Sequence, residues 1–395
     1  MLLKFNMIGL VLYIASNVEC ISRARLNHTF SPLGFHRQKK LFSIFNIVQF
    51  KNDPCSALSG GDLRGTCLSA QECSTQGGSA DGKCAAGFGV CCLFRITGCG
   101  GSVTKNCTYV RNAGFPASDP NNDRICTVTL NRFANDICQI RLDFQSTTTL
   151  PLGTDAGSCG GTGDSLSVIS PHSSSRNAFP PAICGILTGQ HMYFESGRMG
   201  GSAGQIDIFQ GSAPGERRFN IKVTFIHCNS KVRAPSGCTQ YFTGCTGTIM
   251  SYNFPGGQLL GDQLYGNCIR QNEGYCSVQY SETPITNPDP FDLDAPDPNA
   301  SVTDNCMMKN HITIPSKVTD LLMASTPDPQ QDVVTYAPSM RCNTVFGGAP
   351  RTTIPGTLVS EADVPFVVNL RTLPSASGRL ESFSGFSLDY TQVPC

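Results

Sequence analysis

Five aspartates, Asp289, Asp292, Asp294, Asp297 and Asp304, crowd one stretch, "NPDPFDLDAPDPNASVTDN" (287–305). A calcium ion needs hard oxygen ligands that converge from several loops. Asp289, Asp292, Asp294 and Asp304 are therefore candidate calcium ligands, although the alternating prolines favour a stiff, solvated, exposed loop. A further candidate, Asp164, stands in "CGGTGDSLSV" (159–168). The strand-like "LDFQSTTTL" (142–150) offers no glutamate after Asp143 to help it, and Glu195 and Asp207 are not clearly placed. Calcium stays a candidate, and no cofactor is expected.

Nucleophilic chemistry fares worse. A serine protease needs a serine, a histidine base and an aspartate that orients the base. "GTGDSLS" (161–167) supplies Gly-Asp-Ser at Ser165, but no Gly-Gly follows to shape an oxyanion hole. The histidines at 28, 36, 172, 191, 227 and 311 lie in no catalytic motif. Zinc thiolate chemistry is equally unsupported, because no C-x-x-C occurs and cysteines of a secreted chain are far more often bridged. No enzymatic activity is expected.

The elements around these residues read as β-strands. In "CQIRLDF" (138–144), Ile140, Leu142 and Phe144 alternate with Gln139, Arg141 and Asp143; "FNIKVTF" (219–225), "CSVQY" (276–280) and "FSLDY" (386–390) repeat the pattern. One apolar and one polar face per strand suits two-sheet antiparallel sandwiches. Gly (40) and Pro (25) are abundant and charged residues only 15 %, which points to turn-rich all-β structure. With 29 basic and 29 acidic residues the net charge is zero, leaving no electrostatic footprint for nucleic acid or anionic membrane.

The cysteines, 21 in all, fall into three groups. The first holds Cys55, Cys67, Cys73, Cys84, Cys91 and Cys92. The second runs from Cys99 to Cys228 and the third from Cys238 to Cys395, with seven cysteines each. The two sevens read as a repeat: each opens on Gly-Cys and carries a turn, "NAGFP" (112–116) or "SYNFP" (251–255). Between them "NSKVRAPSG" (229–237) is a short linker.

Residues 1–20 combine one lysine with an apolar run and read as a signal peptide, with Val18 and Cys20 at the −3 and −1 positions of the cleavage site. Cleavage after Cys20 leaves twenty cysteines, enough for ten disulfides in an oxidising compartment. Residues 21–50 form a basic, then apolar segment in which Arg37–Lys40 is a candidate processing site. Sequons at Asn27, Asn106 and Asn299 agree with secretion. No later run approaches the roughly 20 apolar residues of a membrane span, so no membrane insertion is expected.

The first group, whose last two cysteines are adjacent, resembles the clip module of arthropod secreted proteins. Six cysteines alone allow fifteen connectivities; the resemblance implies Cys55–Cys91, Cys67–Cys84 and Cys73–Cys92. "CGG" at Cys99, Phe115-Pro116, Cys126, Cys159 with Asp164, and Cys184-Gly185 resemble a CUB domain, a fold that often binds calcium. That resemblance implies Cys99–Cys126 and Cys159–Cys184, with Asp164 where one calcium ligand would sit. The second seven match more loosely, lacking the CGG, the Asp after Cys306 and the Gly after Cys342; Cys238–Cys268 and Cys306–Cys342 are implied there. By repeat logic, Cys107–Cys138 and Cys245–Cys276 are candidate extra pairs, and Cys228 pairs with either Cys395 or Cys238. The expected fold is a clip-like knot (51–93) followed by CUB-type sandwiches, jelly-roll-like, at 98–228 and 237–395. The expected function is secreted, non-enzymatic recognition or adhesion of extracellular protein partners. The alternatives are a non-catalytic regulator of an extracellular serine protease cascade, and a matrix or cuticle component.

Overall fold

The computed structural model describes residues 49–395 apart from 61–62, 121–122, 153–156, 170–179, 197–200, 296–305, 316–339, 343, 345, 347–356, 362–363 and 375–382. The expected signal peptide, Arg37–Lys40, Asn27, Asp297, Asn299 and Asp304 lie outside the described residues.

The chain begins with three short strands, β1 (Pro54–Ser56), β2 (Arg64–Leu68) and β3 (Ser79–Cys84), and one helical turn and a half, α1 (Ala70–Thr75). Ser69 and Glu72 close a reciprocal capping box at the start of α1. So few residues bury little apolar surface, and three bridges, Cys55–Cys91, Cys67–Cys84 and Cys73–Cys92, tie them together. The next strand, β4 (Gly89–Thr97), does two jobs. Its first half pairs with β2 and β3. Its second half pairs in parallel with β6 (Thr108–Arg111), Phe94 opposite Thr108 and Thr97 opposite Arg111. The boundary expected between 93 and 98 thus falls inside one strand.

The first sandwich continues with β5 (Ser102–Val103), β7 (Arg124–Asn131), β8 (Ile137–Thr148), β9 (Ser165–Ile169), β10 (His191–Glu195), β11 (Ser202–Gln210) and β12 (Arg218–His227). One sheet, eight-stranded once the knot is included, runs β1-β2-β4-β6-β12-β8-β10, with β3 on β4; the facing sheet runs β5-β7-β11-β9. The second sandwich comprises β13 (Cys238–Phe242), β14 (Thr246–Met250), β15 (Leu264–Ile269), β16 (Tyr275–Glu282), β17 (Phe291–Asp292), β18 (His311–Thr313), β19 (Met340–Cys342), β20 (Thr357–Glu361), β21 (Val367–Arg371) and β22 (Gly385–Pro394). Its sheets run β14-β22-β16-β20, with β17 on β22, and β13-β15-β21-β18-β19.

The two sandwiches share one topology, strand for strand. The order β6-β12-β8-β10 becomes β14-β22-β16-β20, and β5-β7-β11-β9 becomes β13-β15-β21-β18. Even the parallel pair is kept: β5 beside β7, and β13 beside β15. Ile140, Leu142, Phe144, Ile221 and Val223 of one sandwich and Val278, Tyr280, Phe386 and Leu388 of the other are all fully buried. They belong to one contiguous apolar cluster that spans both sandwiches.

The disulfides depart from the expected set. Cys138 bonds Cys228, not Cys107, and Cys276 bonds Cys395, not Cys245. In each case the partners sit at the ends of adjacent antiparallel strands, β8 with β12 and β16 with β22, which distance in sequence conceals. Cys107 is itself disulfide-bonded. Cys159–Cys184, Cys238–Cys268 and Cys306–Cys342 are present. Cys99 and Cys126 are thiols. They lie side by side with their side chains in hydrogen-bond contact, and Cys99 Sγ also approaches Ile125 O at 3.6 Å and Cys126 Sγ approaches Gly98 O at 3.9 Å. Cys245 is the third thiol.

Residues 287–295 of the Pro- and Asp-rich stretch are not the open loop their composition suggests. Phe291 and Leu293 alternate with the aspartates and are fully buried. Phe291 packs edge-on against Phe346 at 5.5 Å, and β17 adds to β22.

Candidate functional site

Asp164 is fully buried at the end of β9, and its carboxylate is occupied. Oδ1 accepts from Gly211 N and Arg217 Nε, both at 2.9 Å; Oδ2 accepts from Leu150 N at 2.8 Å and Arg217 Nε at 2.9 Å. The Arg217 guanidinium also donates to Gly211 O and Ala213 O. This arrangement neutralises the carboxylate with a built-in cation and ties together the segments around 150, 164, 211 and 217. Sequence reasoning missed Arg217 because "GERRFN" (215–220) reads as a solvated charge run, 53 residues from its partner.

Asp289, Asp292 and Asp294 are likewise turned onto backbone. Asp294, buried, accepts from Ala295 N and Asn310 N at 2.9 Å each. Asp289 accepts from Phe291 N at 3.3 Å and Asp292 from Ser384 N at 3.4 Å. Among the described residues no three His, Cys, Asp or Glu side chains are grouped to hold a metal ion. Asn106, a half-exposed sequon, uses its amide oxygen to accept from Phe225 N at 2.8 Å. Ser165 lies in β9, laddered opposite Phe209.

What the fold does assemble is a junction between the two sandwiches. The linker crosses the outer face of the first sandwich, where Gln139 clamps Ala234: Ala234 N donates to Oε1 at 2.9 Å and Nε2 donates to Ala234 O at 3.1 Å. Arg233 pairs with Glu195 at 3.2 Å beside it. The turn "SYNFP" then inserts against the first sandwich. Asn253 Oδ1 accepts from Ile186 N at 2.9 Å, Gln190 Nε2 donates to Ser251 O at 2.9 Å, and Tyr252 OH donates to His191 O at 2.8 Å. Gly185, at φ +89°, lies so close that a Cβ there would collide with the Asn253 amide. His191 accepts from Tyr241 N at 2.9 Å through Nε2, and its ring meets Tyr193 and Phe242 edge-on. Arg141 stacks over Tyr193 and pairs with Asp143.

Comparison with known protein families matches the animal CUB domain over residues 235–393. Residues 235–393 are thus similar to an animal CUB domain. The match starts one residue after the clamped Ala234 and covers the second sandwich, the one whose sequence departs more from the pattern. Among solved structures, the CUB1-EGF-CUB2 domains of rat MASP-1 align over 75 % of this chain and 100 % of theirs at 14 % identity, with a TM-score of 0.24. The CUB1-EGF-CUB2 domain of human MASP-1/3 aligns over 72 % and 98 % at 15 % identity, with the same TM-score of 0.24. Comparison with curated proteins gives no match. CUB domains are non-catalytic protein-interaction modules, and no catalytic family is indicated.

The contact between the two sandwiches carries a titratable group. Burial, and then the Arg141 guanidinium, hold the His191 imidazole well below its usual range. The unfolded chain therefore binds the proton first as pH falls. Folding stability from this residue is fully present above a pH of about 6.5 and falls as pH drops below it, at up to about 1.4 kcal/mol per pH unit, until the folded-state value is reached. Urea unfolding of wild type and His191→Gln across that window should show a steeper acid decline in wild type. Parallel declines would remove His191 as the cause.

Proposed function

We propose that the chain is a secreted, non-enzymatic recognition protein whose two CUB-type sandwiches hold their loops in a fixed mutual arrangement for extracellular protein partners. The observation that carries this reading is the buried junction. A linker clamped at Gln139 and a turn locked by Asn253 and Tyr252 hold the CUB domain against its neighbour. The strand-for-strand match of the two sandwiches supports reading the first as CUB-type as well. The bridged cysteines support an oxidising, extracellular setting. Loops on a rigid scaffold are where such domains place contacts.

The test is binding with the junction intact and broken. The immobilised chain, exposed to extracellular fluid of its source, should retain a saturable protein ligand that soluble chain competes away. Gly185→Val should leave each sandwich folded by circular dichroism, enlarge the radius of gyration in solution scattering, and lower the affinity for that ligand about tenfold or more. Unchanged affinity with an altered shape would sink the fixed-arrangement reading. Recovery of serine proteases whose turnover the chain alters would instead select the protease-cascade regulator, and recovery of matrix proteins the structural role.

A further inference from the structure

The outer face of the eight-stranded sheet carries an excess of positive charge. One row of side chains crosses it. Arg95 on β4 stands opposite Tyr109 on β6, Tyr109 opposite Lys222 on β12, Lys222 opposite Asp143 on β8, and Asp143 opposite His191 on β10. Residues paired in register project from the same face of a sheet. Both ends of the row are covered. Arg95 donates to Ser79 and Asp81 of the knot, and the Tyr109 hydroxyl is bonded to the Arg64 backbone. At the other end, His191 meets Tyr241 and Phe242 of the second sandwich. Lys222 lies between these walls, on the floor of a trough.

Lys222 is 8 % exposed, and its ammonium makes no hydrogen bond or ion pair to a described residue. The Asp143 carboxylate beside it is turned to Arg141, whose Nε donates to Oδ1 at 2.7 Å and whose terminal nitrogen lies 2.6 Å from the same oxygen. Asn220 and Thr224 flank Lys222 two places away along β12, on the same face; each is buried, with the Asn220 amide oxygen and the Thr224 hydroxyl unpaired. Arg111 stands opposite Asn220, and Arg64 is exposed at the start of β2. Arg64, Arg95, Arg111, Arg141 and Lys222 thus gather against Asp81 and Asp143, each of which an arginine already holds. Glu195, further along the face, pairs with Arg233. The excess is local, because the chain as a whole balances 29 basic against 29 acidic residues. Burial, and with it the charges of Arg141 and Arg64, pulls the Lys222 ammonium below its usual range, against the pull of Asp143. A covered cation without a partner is unfavourable, and an anion that reaches it relieves that cost.

We propose that the trough over Lys222 docks an acidic segment of a partner protein, one carboxylate of which pairs with the Lys222 ammonium while Arg64 and Arg111 at the rim attract its neighbours. Charge complementarity names the occupant's sign, and depth names its shape. A sulfated glycan needs several exposed cations in a row, but of these five side chains only Arg64 is exposed. A carboxylate on the slender stem of an aspartate or glutamate reaches a recessed ammonium. The floor from Arg95 to His191 spans five strands, about 19 Å at some 4.8 Å per strand, enough to seat an extended segment of about five residues. This contact is additional to the loops. It rests on the reading of the chain as a protein-binding frame, but its test reads Lys222 alone, so it can fail while the Gly185→Val result stands.

The probe is a fluorescein-labelled peptide, Gly-Glu-Glu-Gly-Glu-Glu-Gly, with Gly-Gln-Gln-Gly-Gln-Gln-Gly as its uncharged counterpart. Anisotropy at low ionic strength reads binding to the full chain. The acidic peptide should bind at least about tenfold more tightly than the uncharged one, and Lys222→Met should remove that advantage. Arg64→Gln, at an exposed residue, should lower the affinity about threefold, and this check does not depend on how Lys222→Met folds. Carbodiimide coupling of the bound peptide should place the new amide bond on Lys222 rather than on the more exposed Lys83 and Lys105. Equal affinity for the two peptides, a folded Lys222→Met that binds as wild type does, or coupling confined to exposed lysines would each overturn the proposal. So would a heparin hexasaccharide that binds more tightly than the peptide and with the same dependence on Lys222, because a sulfated glycan is then the occupant.

Discussion

Replacing Arg217 by methionine is expected to destabilise the protein by about 3–5 kcal/mol, the cost of leaving a buried charge without its partner. Asp164 is wholly inside, and only the N–H groups of Leu150 and Gly211 would remain to it. The joint replacement Asp164→Leu with Arg217→Met should lose less, because no charge is then stranded. Urea unfolding with intact disulfides measures both. Millimolar calcium is expected to leave the wild-type midpoint in place, since the carboxylate already has its cation. A calcium-dependent rise would show by mass action that an ion binds the native state. A loss below about 1 kcal/mol for Arg217→Met would show that Asp164 takes up a proton or water instead.

Cys55→Ser with Cys91→Ser should loosen the knot while both sandwiches keep their far-UV β signal. The lost bridge closes a separation of 36 residues, worth about 4 kcal/mol by loop entropy. The knot has little else: its apolar cluster comprises Leu68, Cys73, Cys92 and Phe94, with Val90 against it. Two further contacts would also weaken, the Arg64 N–H to Tyr109 hydroxyl bond at 2.8 Å and the return bond from that hydroxyl to Arg64 O at 3.1 Å. Residues 94–97 lie on the far half of β4 and remain laddered to β6. Limited proteolysis should therefore stop near Leu93 and spare Phe94–Thr97. A stable fragment that begins at Cys99 would mean that the parallel pairing fails once the knot opens, and loss of β signal throughout would mean that the knot is needed for the sandwiches.

That boundary shows where reading the sequence stops. The glycines around Cys99 look like a module start, and nothing in "CLFRIT" (92–97) announces a parallel partner further along the chain. Alternation, by contrast, is local. It placed Ile140, Leu142, Phe144, Val278, Tyr280, Phe386 and Leu388 on inward faces, and all are buried. The polar sides of the same strands were less legible. Gln139 and Arg141 face away from their own core, yet are buried too, because the linker and the second sandwich cover that face. The same holds for the candidate site. Asp164, Asp292 and Asp294 were visible as residues, but Arg217 and the N–H groups of Leu150, Gly211, Ser384 and Asn310 that reach them arrive from elsewhere in the fold. Cys138–Cys228 and Cys276–Cys395 were hidden for the same reason: strand neighbours, not sequence neighbours, decide which sulfurs meet.

These two bridges also set how the molecule bears load. Each joins a strand that begins about a third of the way into a sandwich to the residue just after its last strand, across 90 residues in one case and 119 in the other. A pull along the chain passes through the sulfur–sulfur link and bypasses everything between its ends. At roughly 3.3 Å per residue, about 300 Å of chain in one sandwich and about 390 Å in the other cannot be drawn out while the bridges hold. Under tension between two anchored partners the protein is accordingly a short, stiff tether, and reduction of either bond would release a long, compliant one.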